Sequence, residues 1–428
     1  MVNCLKVYYK SVMIGGITGV FFRNSIKPNW FHKHKIQEAI ELLGPVNSHY
    51  RTSADSDSLQ FARMALPFYP CEQTGFFPQI NNCIITASCI INNKKDLCEK
   101  LNLPYPTDDA RIILQAYIKW GKTCLDYLEG KFSFAIWDGN KQTLFCAKSA
   151  TGGVDLIYYM DDEKFIFGTQ IKCIINLLGY KPPINDEFIA EHLDNIIGNK
   201  RSTTYQDIHH IPSGYAITVN ASIFNEFQYW KPGGTDAVFF KNNADYVEAG
   251  SEILTKILKG YADTGMKPGL QTGGGLKTAC IASHFQPLLP HPLTGVSYIL
   301  SEDYAGELVD EKNYTDALAD RLKMELHYVN EPTFPDPYDE DIERKILQQD
   351  SPVVNPVGSD HYIVYGKMKD LGVQLCLTPE SLSIDWAGKE LIPSLILESR
   401  YWQAWKLQRQ TGTGSLLRTG IITALPNE

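Results

Sequence analysis

The run Gln271-Thr-Gly-Gly-Gly-Leu-Lys-Thr278 holds the clearest candidate chemistry in this chain of 428 residues. Three successive glycines let an anion approach the backbone closely, and a helix starting directly after them would point unpaired N–H groups at it. Lys277 adds positive charge and Thr278 a hydroxyl. The run nearly forms a Walker loop but departs from it, because Leu276 stands where that motif requires glycine before the lysine. Alone, a glycine cluster ahead of a helix is more often a tight turn than a phosphate site. The histidines offer less. His209-His210 on a strand would point to opposite faces, one buried and one exposed, which makes a poor metal pair. His32-Lys-His34 reads as a surface face. The ten cysteines are scattered, with no Cys-x-x-Cys pair. Neither zinc nor a disulfide framework is indicated, and buried free thiols in a reducing, cytoplasmic setting are expected.

These residues need elements to position them. In the first half Asn82–Asn93 is rich in β-branched residues. Gly130–Asp138 and Gln142–Ala147 flank an Asp-Gly-Asn turn, and Tyr158–Met160 and Lys164–Gly168 flank another turn, so hairpins are expected. Asp108–Trp120 reads as a helix capped by Thr107, with Ile112, Ile113, Ala116, Tyr117 and Trp120 on one face. Ile171–Leu178 ends at Gly179, a C-cap signal, and Asp186–Ile197 is a further helix. Pro212-Ser-Gly214 turns the chain into the strand Tyr215–Asn220. The period changes after a linker around Lys231–Thr235. There Ala244–Tyr261 is a long amphipathic helix, Gly269–Thr278 a glycine-rich turn, and Ala279–His284 a helix. Strands at Thr294–Leu300, Leu326–Val329 and Val373–Thr378 alternate with helices at Glu311–Met324 and Tyr362–Leu371. That alternation implies a parallel α/β sheet. Two or three domains fit the length, and 44% hydrophobic with 21% charged residues is an ordinary globular composition. A net charge of −9 and no basic stripe argue against nucleic-acid and anionic-membrane partners. The apolar run Ser11–Phe22 resembles a short signal segment but lacks a small-x-small cleavage site, and no run is long enough to span a bilayer.

The order of these segments resembles the asparagine synthetase family. Leu270–Ala282 is similar to its pyrophosphatase loop, Ser-Gly-Gly-Leu-Asp-Ser. Asp310-Glu311, Tyr314, Ala317, Ala319, Leu322 and His327-Tyr-Val329 are similar to the next helix and strand. Gly372–Thr378 resembles the strand before its second motif, Gly-x-Gly-Gly-Asp-Glu-Leu-Phe-Gly-Gly. In the first half Gly15–Phe21, Leu128–Asp138, Ala147–Tyr159 and Thr204–Gly214 resemble segments of its amidotransferase domain, in a style nearest β-lactam synthetases and lasso-peptide cyclases. The resemblance implies an N-terminal Ntn-hydrolase-like αββα sandwich over 1–230, a linker over 231–240, and a parallel-sheet ATP-pyrophosphatase-like α/β domain over 241–428.

The same resemblance puts reactive residues in doubt. The family's glutaminase uses a cysteine at the mature N-terminus, whose amine serves as base. Here that position is Gly15, with fourteen residues ahead of it, so glutaminase activity is not expected. Nucleotide contacts carry over to Gly273, Gly274, Gly275, Lys277, Thr278 and Ser301. The magnesium-holding aspartates do not carry over: their places are taken by Lys277 and Ser383, with Ile384 at the neighbouring glutamate. Magnesium wants hard oxygen ligands, which lysine lacks. Losing them costs several kcal/mol of transition-state stabilisation, at about 1.36 kcal/mol per tenfold in rate. Asp385 and Glu380 are the nearby acids that a loop shift would have to recruit. The expectation is a pseudoenzyme that binds an active homologue, a precursor peptide or a nucleotide. The alternative is an ATP- and Mg²⁺-dependent amide ligase with rearranged metal ligands. A third reading is a binding module that uses the glycine turn for another anion.

Overall fold

The computed structural model describes residues 16–23, 30–42, 50–55, 59–65, 77–150, 154–194, 198–231, 239–300, 311–330 and 360–379. The apolar run near the start forms β1 (Gly16–Phe22), whose seven residues are all buried. It lies between β3 (Leu59–Ala65) and β9 (Lys164–Gly168), antiparallel to both. With β2 (Tyr50–Asp55), β8 (Ile157–Met160) and β10 (Ile208–His210) these strands form one sheet, in the order β10-β8-β9-β1-β3-β2. A second sheet comprises β4 (Gln79–Ile80), β5 (Cys83–Ile91), β6 (Gly130–Asp138), β7 (Thr143–Lys148), β11 (Tyr215–Val219) and β12 (Phe224–Gln228). Its order is β12-β11-β7-β6-β5-β4.

Period-two alternation sorts the side chains of this half into three cores. Phe132, Phe134 and Ile136 of β6 face α2 (Lys94–Leu101) and α3 (Asp109–Trp120), meeting Leu97, Ile112, Ile113 and Tyr117. Ala135 and Trp137 point the other way, into an inter-sheet layer with Ile17, Phe21, Phe61, Phe165 and Phe167. Val20, Phe22 and Ile166 leave the first sheet on its far side to meet α1 (Trp30–Leu42) and α4 (Ile171–Leu178). The result is helix, sheet, sheet, helix: the expected αββα sandwich. Helix α4 matches its expected bounds, and Gly179 caps it in the left-handed conformation at φ 79°. The cap of α3 differs from expectation. Asp108 accepts from the Arg111 N–H at 3.1 Å, while Thr107 bonds back to the Pro104 carbonyl. The histidine pair differs too: His209 and His210 are both half-buried, and burial lowers the pKa of each. Helix α5 (Asp186–Leu193) is capped by Asp194, and residues 195–197 of the expected helix lie outside the described residues.

The second half begins with α6 (Asn243–Ala262). It continues through β13 (Pro268–Thr272), α7 (Leu276–Phe285), β14 (Thr294–Tyr298), α8 (Lys312–Leu322), β15 (Glu325–Val329), α9 (Asp360–Asp370) and β16 (Leu375–Leu377). The expected turn over Gly269–Thr278 is mostly regular structure: a strand to Thr272, three residues of loop, then helix from Leu276. All pairings are parallel, in the order β15-β14-β13-β16. Leu258 of α6 and Ile281 and Phe285 of α7 cover one face with Leu270 and Leu293, and Leu318 of α8 packs against them. Val364 and Met368 of α9 cover Val296 on the other. A sheet covered on both faces is the α/β arrangement expected of a parallel sheet. No described helix is long and apolar enough to cross a membrane.

The two halves meet along α6. Ile90, Met266 and Leu375 form a small shared core. Gly260 lies so close to Asn92 that an added Cβ would stand 3.0 Å from its Cβ and carbonyl oxygen, and Lys256 pairs with Glu129 at 2.9 Å. Under this seam Lys94 Nζ lies 2.6 Å from Asp109 Oδ1, and Asp109 Oδ2 accepts from the Ile91 N–H at 3.2 Å. A contact that short ordinarily lowers a carboxyl pKa. Here burial outweighs the ammonium and pushes Asp109 up to about 6. The described cysteines are all free, six of them buried, and burial raises Cys124 and Cys376 to about 12.

Two outcomes follow from this packing. Because the folded pKa of Asp109 exceeds its unfolded value, its contribution to stability is complete below about pH 4 and fades as pH rises through about 6. Lys94→Met leaves a buried carboxylate unpaired. Urea unfolding should show a loss of about 3–5 kcal/mol at pH 7 and a smaller one at pH 5, where Asp109 is protonated. Gly130 opens β6 at φ 150°, and a Cβ there would lie 2.1 Å from the Ile90 carbonyl oxygen. Gly130→Ala should therefore cost at least about 2 kcal/mol in the same measurement.

Candidate functional site

In the first half Gly15 lies just outside the described residues. From Ile17 onward the backbone is locked: the Ile17 N–H donates to Thr169 Oγ1 at 3.2 Å, and the Thr169 N–H donates to the Ile17 carbonyl at 2.9 Å. Arg63 stands in register with Ile17 and, on the same inward face, is only 7% exposed. Buried Thr86, Ser88 and Ser133 add polarity to this end of the inter-sheet layer, Thr86 reaching the Ala62 carbonyl at 3.5 Å. Sequence reasoning missed Arg63. The signal available was an arginine at an inward position of the strand Leu59–Ala65. On β7 and just beyond it, Lys148 pairs with Asp155 at 2.6 Å. Asp155 is exposed, and desolvation is outweighed by the Lys148 charge and hydrogen bond, which hold its pKa below the ordinary carboxylate value.

In the second half the sheet order places β14 and then β15 on one side of β13, and β16 on the other. The crevice beyond the carboxyl ends of β13 and β16 is thus a topological switch point, where open α/β sheets take their ligands. The loop Gly273–Gly275 occupies it. Gly275 is the N-cap of α7, in extended backbone and with no side chain to cap the helix. Gly275 is open, with nothing within 4 Å of an added Cβ. Gly274 is closed: its added Cβ would lie 2.8 Å from Tyr314 Cβ and 2.9 Å from Glu311 Cβ. The Gly274 N–H donates to Glu311 Oε2 at 2.7 Å. Lys277 is exposed in the first turn of α7, Leu276 beside it is 89% exposed, and Thr278 is buried.

The loop therefore brings Gly273, Gly274, Gly275 and Lys277 together at one helix start, with Thr278 turned into the packing. Ser301, Glu380, Ser383, Ile384 and Asp385 lie outside the described residues. Glu311 entered the sequence reading as the start of a helix and as half of an Asp-Glu pair, not as a contact of this loop. Its place on the loop depends on α8 packing beside α7, which no local pattern encodes. Among the described residues no group of three His, Cys, Asp or Glu is placed to hold a metal.

An αββα sandwich of paired antiparallel sheets followed by a doubly covered parallel sheet is the class to which comparison with known proteins can be put. The family profile described as the glutamine amidotransferase domain matches residues 14–230. This chain belongs to that family, as an asparagine synthetase-like member. It is 31% identical over 129 residues to the glutamine-hydrolyzing asparagine synthetase 3 of Bacillus subtilis (strain 168), covering 29% of this chain and 20% of that one. It is 25% identical over 265 residues to a putative glutamine-hydrolyzing asparagine synthetase 2 of Methanocaldococcus jannaschii, covering 57% and 47%. The matches thus span less than half the length of these relatives. Among solved structures the glutamine phosphoribosylpyrophosphate amidotransferase of B. subtilis overlaps at TM-score 0.34 and 10% identity, covering 85% of this chain and 90% of that one. A score that low adds nothing to the fold argument.

The crowding at Gly274 has its own outcome. Gly274→Ala must push the start of α8 away from the loop. Amide hydrogen exchange at residues 312–316 should accelerate about tenfold or more, a local loss of roughly 1–3 kcal/mol, while exchange in β5 and β6 stays unchanged.

Proposed function

We propose that this protein is an asparagine synthetase-like pseudoenzyme, with the frame of the family kept and its glutaminase and adenylating chemistry lost. It acts by binding: an active homologue, a precursor peptide, or a nucleotide held without turnover. The supporting observation is the first turn of α7, where an exposed ammonium, Lys277, stands at the position to which the family resemblance assigns a metal-holding aspartate. Lysine neutralises phosphate charge but gives magnesium no oxygen. The loop donor that a phosphate would use, the Gly274 N–H, is already engaged by a carboxylate. As arranged, the described residues do not fit a magnesium-bound nucleotide, and no catalytic step is assigned to one. Gly15 argues the same way for the first half, since glycine offers no nucleophile to glutamine. A reducing, cytoplasmic setting is part of this reading and is supported by the free thiols.

A second reading, an ATP-dependent amide-forming ligase with rearranged metal ligands, draws support from one observation. Glu311 does bring a carboxylate oxygen to the loop. Pyrophosphate release from ATP, measured with Mg²⁺ across a panel of amino-acid and peptide carboxylates, decides between them. The expected result is no release above the protein-free blank. Release that disappears in Lys277→Ala would establish the ligase.

A further inference from the structure

We propose that Glu311 is an internal stopper of the β13–α7 loop: its carboxylate occupies the position of the anion, and the loop takes an oligophosphate only when that carboxylate is displaced. The inference rests on reading this loop as an anion site. It goes beyond the loss of chemistry by naming what controls access.

Three observations carry it. The first is how Glu311 is used. It is the N-cap residue of α8, yet its side chain makes no capping bond to its own helix. Its backbone carbonyl, held by the N–H groups of Tyr314 and Thr315 and by the Thr315 hydroxyl, fixes it at that helix start. The carboxylate instead crosses to the β13–α7 loop and accepts from the Gly274 N–H at 2.7 Å, the length of a charge-assisted bond. Helix α7 has only glycine at its N-cap, so an anion from elsewhere meets its unpaired donors and the positive end of its dipole.

The second observation is space. The Gly274 side of the loop will not admit a methyl group without clashing with Glu311 and Tyr314. An added Cβ on Gly273 would already touch Glu311 Oε2 at 3.4 Å. A phosphate cannot take the same N–H while the Glu311 side chain stays on it. A third observation lies beneath the loop. Thr272 ends β13 at 6% exposure, and its Oγ1 has no hydrogen-bond partner among the described residues. Alternation along β13 puts it on the face of Leu270, which α7 covers. A buried hydroxyl without a partner is uncommon, and here it adjoins a cradle whose main donor is committed to an internal acid.

A carboxylate and an oligophosphate are both acceptors, both negative, and cannot share one N–H. The stopper therefore lowers affinity by occupancy and by repulsion together. Lys277, exposed on the same turn, supplies the opposing attraction once the acid has left.

The test is calorimetric titration of the full chain with inorganic pyrophosphate, first without divalent cation and then with Mg²⁺. Glu311→Gln keeps the shape and removes the charge, and Glu311→Ala removes both. Each should bind pyrophosphate about tenfold tighter than the wild type, the size expected from releasing one charge-assisted bond. Adding Lys277→Ala to Glu311→Gln should weaken binding again. Unchanged affinity in both variants, with only a lowered unfolding midpoint, makes Glu311 a cross-helix cap and overturns the proposal. Binding by the wild type alone, and only with Mg²⁺, makes it a metal ligand and overturns it too. No binding by any form overturns it while leaving the pseudoenzyme reading intact, since that reading stands or falls on pyrophosphate release from ATP.

Discussion

An ammonium and a carboxylate shut away from water, Lys94 against Asp109, sit where three elements begin or end. Strand β5 stops, α2 starts, and α3 starts after the intervening loop. All three are tied through one carboxyl group, which also accepts from the Ile91 N–H. A buried ion pair is a poor source of net stability, because desolvation offsets much of the attraction. Its contribution is geometric: a buried charge is costly to leave unpaired, so the corner keeps this arrangement. The next residue after Ile91 is Asn92, the surface against which Gly260 brings α6. The placement of the second half on the first thus runs through a corner that burial and charge hold in register.

Much of this fold was legible in the chain, and the reasons are local. Period-two alternation in Gly130–Asp138 found β6 and its two faces, and the Asp-Gly-Asn turn found the hairpin to β7. Asp138 itself closes that turn, accepting from the N–H groups of Asn140 and Lys141 and from the Tyr117 hydroxyl. Gly179 ended α4 as read. Glycine misled once. Gly269 suggested turn where the chain is strand, because Gly269 is a place of close packing against Val373 and not of reversal. The cap of α3 was misplaced by one residue, since threonine and aspartate in sequence both cap well and only the path of the preceding loop decides between them.

The candidate site divides in the same way. Gly273, Gly274, Gly275 and Lys277 could be found by eye, because a loop between a strand and a helix is a contiguous object. Glu311 could not, and Arg63 only as an inward position of its strand. Their importance comes from what lies across a sheet or beside a neighbouring helix, and sequence distance conceals it: residue 274 meets residue 311 through the packing of two helices on one sheet. The departures from family pattern were plain in the sequence. The contact of Glu311 with the loop was visible only in space.

The free cysteines among the described residues also report on the layers in which they sit. Cys89, Cys98 and Cys124 lie in the helix-covered core of the second sheet, Cys173 in that of the first, and Cys146 in the layer between them. Cys376 packs against the core beneath α9. Burial raises the Cys146 thiol and puts Cys124 and Cys376 near 12, so these groups are protonated and slow to react until their surroundings open. Each layer therefore carries its own native timer: the order in which an alkylating reagent marks these sulfurs reads out the order in which the layers of the molecule come apart.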